Sequence, residues 1–422
     1  MKTPVILLAF SLSLAAFAAP TVSNVTMTQA IHQTVRVDYT LDEAAVVTLD
    51  VLTNATGSAW ASIGPENVAV LWGDVNVLVQ PGSHTIFWAP EKSWAENPPR
   101  AYDVRAQVKA WAVTAPPDYM VVDLRPSAEL AGAPRIRYFE TAGQVPDGVT
   151  DRKYKTDYVL MRKIPAKGMT YRMGSPSGEV GKSRSENTDW DGVETLRHVT
   201  LTNDFYIGVY ELTRKQAVTY TGYGNASAVS GYEAYPVGGD NANGGISCGR
   251  LRGTTYLWPG DGRNVGGALS ELRNRTGVDF DLPTEAQWEF ACRAGTASAL
   301  YTGEELADET TSANLDAIAW YKGNSGNHSH EVGLLQPNGF GLYDMLGNVG
   351  EFCVDRIKHN ALVSGAVTEP VGIDSGDNHA IRGGSYPKAA NHSRAAHRQD
   401  YVSLSSEFGE CGFRLWAPAI AK

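Results

Sequence analysis

Beyond its first twenty residues this 422-residue chain is short of three things: long apolar runs, surplus positive charge and cysteine. A bilayer takes about 20 consecutive apolar residues to cross, and no stretch past the N-terminus supplies them. No transmembrane segment is therefore expected. Lys and Arg number 36 against 46 Asp and Glu, a net charge of −10. Nucleic acid and anionic membrane surfaces both need basic patches, so neither is the expected partner. Cysteine occurs four times, as Cys248, Cys292, Cys353 and Cys411. An even count in an exported chain fits two disulfides, with three connectivities open, and it equally fits buried free thiols.

The extreme N-terminus reads as a secretory signal over residues 1–18. Lys2 is a short positive region, Val5 to Leu14 an apolar stretch too short to span, and Ala16-Phe17-Ala18 a small-x-small cleavage site. The mature protein is expected to be soluble and secreted, periplasmic or in the cell envelope. The length suggests about two or three domains. A hydrophobic content of 43% is enough for packed cores, and 43 Gly with 10 Trp point to a turn-rich fold with large aromatic anchors.

Residues 20–114 read as all-β. Val35, Val37, Tyr39 and Leu41 alternate with polar neighbours, as do Ala45, Val47, Leu49 and Val51, and then Val104, Ala106, Val108 and Ala110. Period two marks half-buried strands. Turn signals at Pro81-Gly82-Ser83 and Asn97-Pro98-Pro99 separate such runs. The expected architecture is a two-sheet sandwich resembling the immunoglobulin-like modules of exported proteins. No chemistry is visible in it, and His32 and His84 read as ordinary strand residues. Ala115-Pro116-Pro117 opens a connector over 115–157, expected either to pack as an edge strand or to wrap onto one of the domains, and a second domain runs over 158–422.

Within that domain Thr213 is placed to cap a helix carrying Lys215, Gln216 and Val218. A second helix is expected from Val265 to Asn274, closed by Gly277. Thr284 and Gln287 form a capping-box pair, which predicts a helix from Glu285 to Arg293 ended by Gly295.

Four strings in this region are unusual in content and order: Leu282-Pro283-Thr284-Glu285-Ala286-Gln287-Trp288-Glu289-Phe290, Gly341-Leu342-Tyr343-Asp344-Met345-Leu346-Gly347-Asn348-Val349-Gly350-Glu351-Phe352, Ile381-Arg382-Gly383-Gly384-Ser385-Tyr386 and Gly412-Phe413-Arg414-Leu415. Together they resemble the formylglycine-generating enzyme, or sulfatase-modifying-factor, family over about residues 160–417. The resemblance implies an α+β, C-type-lectin-like fold with little regular structure. It implies a structural Ca²⁺ held by Asp344 and Glu351 side chains and the Gly347 and Val349 carbonyls, a reasonable set for a hard cation. A second, looser Ca²⁺ match falls near Asn314 or Asn324.

Catalytic members carry a Cys-x-x-x-x-Cys pair just after Gly-Gly-Ser-Tyr, and the two thiolates hold Cu(I), a soft ion that selects sulfur. Here Ser385 to Arg398 contains no cysteine, and Lys388 and Ser393 stand at the matching offsets. An ammonium and a hydroxyl do not replace two thiolates, so copper is not the expected cofactor. Two substitutes are open, a Cys353–Cys411 pair or imidazole ligation by His392 and His397. Gly350 replaces the tryptophan that lines the substrate groove in catalytic relatives, which leaves a wider groove. Ser385, Asn391, Arg394 and Gly350 are the candidate groove residues. Arg398 reads as structural. The loop Gly323 to His330, with His328 and His330, is either a metal-binding hairpin or a solvated loop.

The resulting expectation is an exported, non-catalytic family member that binds a peptide or a glycan. The alternative is a metal-dependent oxidoreductase of the family working through a non-standard site. A third reading makes the lectin-like domain a purely structural element of the envelope.

Overall fold

The computed structural model describes residues 19–419 apart from 31–32, 55–58, 95–102, 126–134, 183–193, 222–229, 239–267, 358–364, 373–377 and 400–409. The signal sequence, His32, Asn97-Pro98-Pro99 and Cys248 lie outside the described residues.

The N-terminal strands follow the period-two runs. They are β1 (Val22–Gln29), β2 (Val35–Leu41), β3 (Ala45–Thr53), β4 (Ala61–Ser62), β5 (Leu71–Gly73), β6 (Leu78–Val79), β7 (Gly82–Trp88) and β8 (Val104–Ala112). In β2 the alternation is realised side chain by side chain: Val37, Tyr39 and Leu41 are buried while Arg36, Asp38 and Thr40 are not. Two antiparallel sheets result. One has the order β1-β2-β7-β5, and in the other β3 pairs with β8, β6 and β4. Val37, Tyr39, Leu41, Ile86 and Trp88 of the first share one apolar core with Ala45, Val47, Val51 and Val79 of the second. His84 is tied to Asp74 at 2.9 Å and to the Gln80 carbonyl at 2.7 Å, a structural role.

Residues after Ala115 do more than connect. They supply β9 (Tyr119–Asp123) and β10 (Ile136–Phe139), which join β11 (Tyr158–Ile164), β14 (Phe205–Gly208) and β20 (Trp416–Pro418) in a five-stranded sheet ordered β10-β9-β11-β14-β20. Val122 faces Ile136 on one side and Val159 on the other. The prolines of this segment hid the positions of its strands, because its described apolar runs are only four or five residues long.

Two smaller sheets complete the domain. β12 (Thr170–Met173), β13 (Arg197–Thr200) and β16 (Val367–Thr368) form one. The other is β18 (Arg398–Gln399), β17 (Asn378–Arg382), β15 (Gly350–Ile357) and β19 (Cys411–Gly412), in that order. Helices span Arg214–Thr221, Ala268–Thr276 and Glu285–Arg293. The fold class of this domain is α+β, with long irregular stretches between short elements.

Local chemistry explains the helix limits. At Glu285–Arg293 the Thr284 hydroxyl accepts from the Gln287 amide at 3.1 Å, and the Gln287 side chain accepts from the Thr284 amide at 3.0 Å. Thr213 and Gln216 make the same reciprocal pair at 3.3 and 2.9 Å. The Glu285–Arg293 helix keeps the expected bounds, and Ala294 at φ 46° and Gly295 at φ 95° turn the chain out of it. The Ala268–Thr276 helix is closed by Gly277, whose amide donates to the Arg273 carbonyl. Its expected first residues, Val265 to Gly267, are outside the described ones.

Cys292, Cys353 and Cys411 are all buried and no disulfide joins any two of them. Two bridges among four cysteines would require at least one such bond, so the two-disulfide reading gives way to buried thiols.

Candidate functional site

The four unusual strings meet through buried ions. Glu351 opens β15, and its carboxylate receives Arg414 at 2.6 and 3.0 Å on Oε1 and the Trp288 indole N–H at 2.6 Å on Oε2. Arg414 is fully buried. Its other donors reach the carbonyls of Gly208, Val209 and Tyr343 at 2.9, 3.0 and 2.7 Å. All five guanidinium N–H groups are thereby used. A buried charge is tolerated only when it is paired and its remaining donors are satisfied, and this one is.

A second ionic knot joins the Glu285–Arg293 helix to β17. Arg382 binds Glu289 at 2.5 Å and lies 3.2 Å from Glu285. It also donates to the Ala396 and His397 carbonyls at 2.8 and 3.0 Å. Glu289 in turn accepts from Arg293 and from the Gly174 amide, both at 2.8 Å. Arg398 pairs with Glu285 at 2.7 Å, so its structural reading holds. The sequence signature is in large part a set of paired charges that tie irregular loops together.

The loop Asp344 to Glu351 is shaped by backbone constraints. Gly347 has φ 77°, and a Cβ there would sit 2.4 Å from the Trp320 carbonyl, so only glycine fits. Asn348, at φ 51°, is the hub. Its side chain donates to Glu211 at 2.7 Å and accepts from the His330 amide at 2.9 Å. The Val349 amide donates to Glu211 at 3.1 Å. Sequence reasoning passed over Glu211 and Asn348. The signal was there: Glu211 is the one acid in the apolar run Phe205 to Leu212.

The calcium set fits in part. Asp344 is buried, takes the Gly333 amide on Oδ2 at 2.6 Å and leaves Oδ1 without a hydrogen-bond partner. Burial pushes its carboxyl up to about 6. Burial, with the Asp344 and Glu351 charges, also raises Glu211 well above the usual carboxylate range. Three buried carboxylates therefore share the Arg414 guanidinium and the buried Lys155 ammonium, and a cation at the bare Asp344 oxygen would relieve the remaining negative charge. Glu351 does not fit as a calcium ligand, because Arg414 and Trp288 occupy both its oxygens. The second, looser match fares worse: Asn314 donates to the Glu305 carbonyl, while Asn324 bonds both the Tyr321 amide and the Ala319 carbonyl.

At the copper offsets, Lys388 pairs with Glu410 at 3.0 Å, and Ser393 is fully buried. This donor set does not suit Cu(I). The two substitutes are also corrected. Cys411 lies level with Gly350 in the parallel β15–β19 pairing, so Cys353 is three residues further along. That is about 10 Å of strand, too far for one metal or one disulfide. Burial raises the Cys353 thiol well above its ordinary value. His392 and His397 do meet, ring to ring at 4.8 Å. However, His397 lies 3.4 Å from Glu194 and His392 bonds the Asn391 side chain at 2.8 Å. Burial pulls His392 down to about 4, so it is neutral near pH 7. The loop His330 is stacked on Trp320 at 3.8 Å and bonded to the Ser325 carbonyl at 2.8 Å, which makes it a packed residue rather than a solvated one.

The candidate groove is not a groove. Arg394 is fully buried between Glu179 and Glu194 at 2.6 and 2.9 Å. It holds the segment in place and has no face left for a ligand. Ser385 is fully buried. A Cβ on Gly350 would meet Ile381 Cγ2 at 2.8 Å, so Ile381 fills the space that a missing tryptophan was expected to open. Asn391 alone of the four remains half-exposed, beside His392 and Pro387-Lys388-Ala389.

Such a charge-knotted α+β domain defines a scaffold class, and comparison with known proteins gives its family. A sulfatase-modifying factor enzyme 1-like domain model matches residues 166–418, and the chain belongs to that family. It is 34% identical over 145 residues to a formylglycine-generating enzyme of Streptomyces coelicolor, covering 32% of this chain and 45% of that protein. It is 31% identical over 193 residues to the chaperone protein LppX of Paenibacillus barcinonensis, covering 39% of this chain and 66% of that protein. The chain thus spans about half to two thirds of the length of these curated relatives. A solved structure titled Treponema denticola variable protein 1 aligns with TM-score 0.43 at 20% identity, over 62% of this chain and 95% of that one.

Proposed function

We propose that this protein is an exported, non-catalytic member of its family that binds a peptide or a glycan. The observation that carries the reading is the Lys388–Glu410 pair with buried Ser393, where family chemistry needs two thiolates. The binding surface is the half-exposed segment Pro387-Lys388-Ala389 with Asn391 and His392, held rigid from below by Arg394 and Arg382. A rigid, preorganised surface loses little entropy on binding. The similarity to a protein named as a chaperone favours a peptide over a glycan. The N-terminal sheets, over 20–114, act as an immunoglobulin-like spacer. The domain from 158 onward keeps a lectin-like scaffold, with a structural Ca²⁺ beside Asp344, Gly347 and Val349. Residues 1–18 direct export to the envelope or beyond.

Elemental mass spectrometry tests this reading. The mature protein, dialysed against Cu(I) and then a mild chelator, is expected to retain calcium near one per chain and no stoichiometric copper. The double variant Lys388→Cys/Ser393→Cys should gain copper. Copper on the natural protein, or aldehyde formation on a cysteine-containing peptide, would revive the oxidoreductase alternative.

A further inference from the structure

A second site lies away from the family domain's loops, in a cavity of about 270 Å³ between the N-terminal sheets and β10. This is near the lower end of ligand pockets, which start at roughly 300 Å³. Three contacts hold its walls together. Arg137 donates to the Pro65 carbonyl at 2.6 Å, Asn76 accepts from the Tyr138 amide at 3.2 Å, and Lys109 pairs with Glu140 at 2.8 Å.

The walls carry a surplus of donors. Arg137 has five N–H groups and spends one on Pro65; among the described residues no carboxylate pairs with it. Asn76 is 6% exposed, and the Tyr138 amide fixes its carbonyl oxygen, so its NH₂ group has no acceptor among the described residues. Gln144 repeats the pattern: its oxygen accepts from the Glu140 and Thr141 amides at 2.9 and 3.2 Å, and its NH₂ group is unspent. Asn76 is buried, Arg137 half-buried and Gln144 exposed at the rim, so the three donors open onto the cavity and its mouth. Three unspent donor groups around one cavity call for an acceptor-rich occupant, and the guanidinium selects a carboxylate.

The rest of the lining narrows the class. Trp111 offers an aromatic wall, with its indole N–H already given to Thr48 at 2.9 Å. Asp50 keeps Oδ2 available to accept hydroxyl protons, since its Oδ1 takes the Val51 amide and the Ser62 hydroxyl. An aromatic wall, a hydroxyl acceptor and a carboxylate-binding corner together suit a sugar acid. We infer that the cavity lined by Asn76, Trp111, Arg137 and Gln144 binds a hexuronic acid or an acidic sugar at the end of a glycan. This site is independent of the binding surface near Lys388, and either can fail without the other.

The test is calorimetric titration of the full chain with sodium glucuronate, with glucose and acetate as controls for the carboxylate and the ring. Saturable glucuronate binding is expected, with both controls at least tenfold weaker. Arg137→Gln and Gln144→Glu should each weaken glucuronate at least tenfold. Gln144→Glu keeps the oxygen that receives the Glu140 and Thr141 amides, so it carries the test if Arg137→Gln fails to fold. Absence of saturable glucuronate binding would mean that the donors hold only water. Glucose or acetate binding as tightly as glucuronate would overturn the ligand class. Affinity unchanged in Gln144→Glu would place any binding elsewhere.

Discussion

Replacing Arg414 by methionine should cost about 3–5 kcal/mol, the range for breaking one partner out of a buried ion pair. The guanidinium bridges Glu351 to the carbonyls of Gly208, Val209 and Tyr343, so its loss takes a donor from each, leaving Val209 only the Tyr343 amide and Glu351 only the Trp288 indole. It also leaves Glu351 as an uncompensated charge beside Glu211 and Asp344, whose carboxyls are already hard to ionise. Urea unfolding at neutral pH reads the effect. The double variant Glu351→Gln/Arg414→Met should recover part of the loss, because no stranded charge remains at Glu351. A single-variant loss under about 1 kcal/mol would show that Arg414 is not the keystone its contacts suggest.

Asp355→Asn should stabilise the protein, and only above mildly acid pH. Asp355 is 5% exposed and accepts the Glu285 amide at 2.7 Å. Burial first, and then the Glu285 charge, push its carboxyl from 3.8 up to about 7. Arg398 pulls the other way, while Arg382 is shared between Glu285 and Glu289. Between pH 3.8 and 7 the folded chain therefore holds a proton at this group that the unfolded chain releases. Stability contributed there falls as pH rises through that window and is lowest above it. Asparagine keeps the acceptor oxygen and removes the titration. The variant should match the parent near pH 4 and exceed it by on the order of 4 kcal/mol at pH 8. Parallel urea midpoints against pH for the two proteins would reject the argument.

The two kinds of structure differed in how far the sequence revealed them. Period-two runs placed β2 to the residue and the starts of β3 and β8, which each run two residues past their alternation, because half-buried strands write their burial into alternate positions. The Thr284–Gln287 pair placed a helix start, because that chemistry is complete within four residues. An edge strand was open for the connector, but the positions of β9 and β10 were not legible. Their partners are β11 and each other across a proline-bearing segment, and short runs buried by distant neighbours carry no period of their own.

The site divided the same way. Glu351, Arg414, Trp288 and Arg382 were visible as members of unusual strings, yet nothing in the strings says that these residues bind one another. Arg394 was read as a ligand contact, and in the folded chain it sits between Glu179 and Glu194, which lie 215 and 200 residues away. Gly350 was read as an open wall, and Ile381 closes it.

By itself, then, the sequence determined the family, the N-terminal strand pattern, the helix caps and the lack of thiolates at Lys388 and Ser393, since each depends on residue type or short spacing. Only the tertiary structure decided which charges are paired, which oxygen of Asp344 is bare and which donors of Arg137, Asn76 and Gln144 are unspent. Those facts depend on what long-range packing brings within about 3 Å, the reach of a hydrogen bond, and no local pattern encodes that.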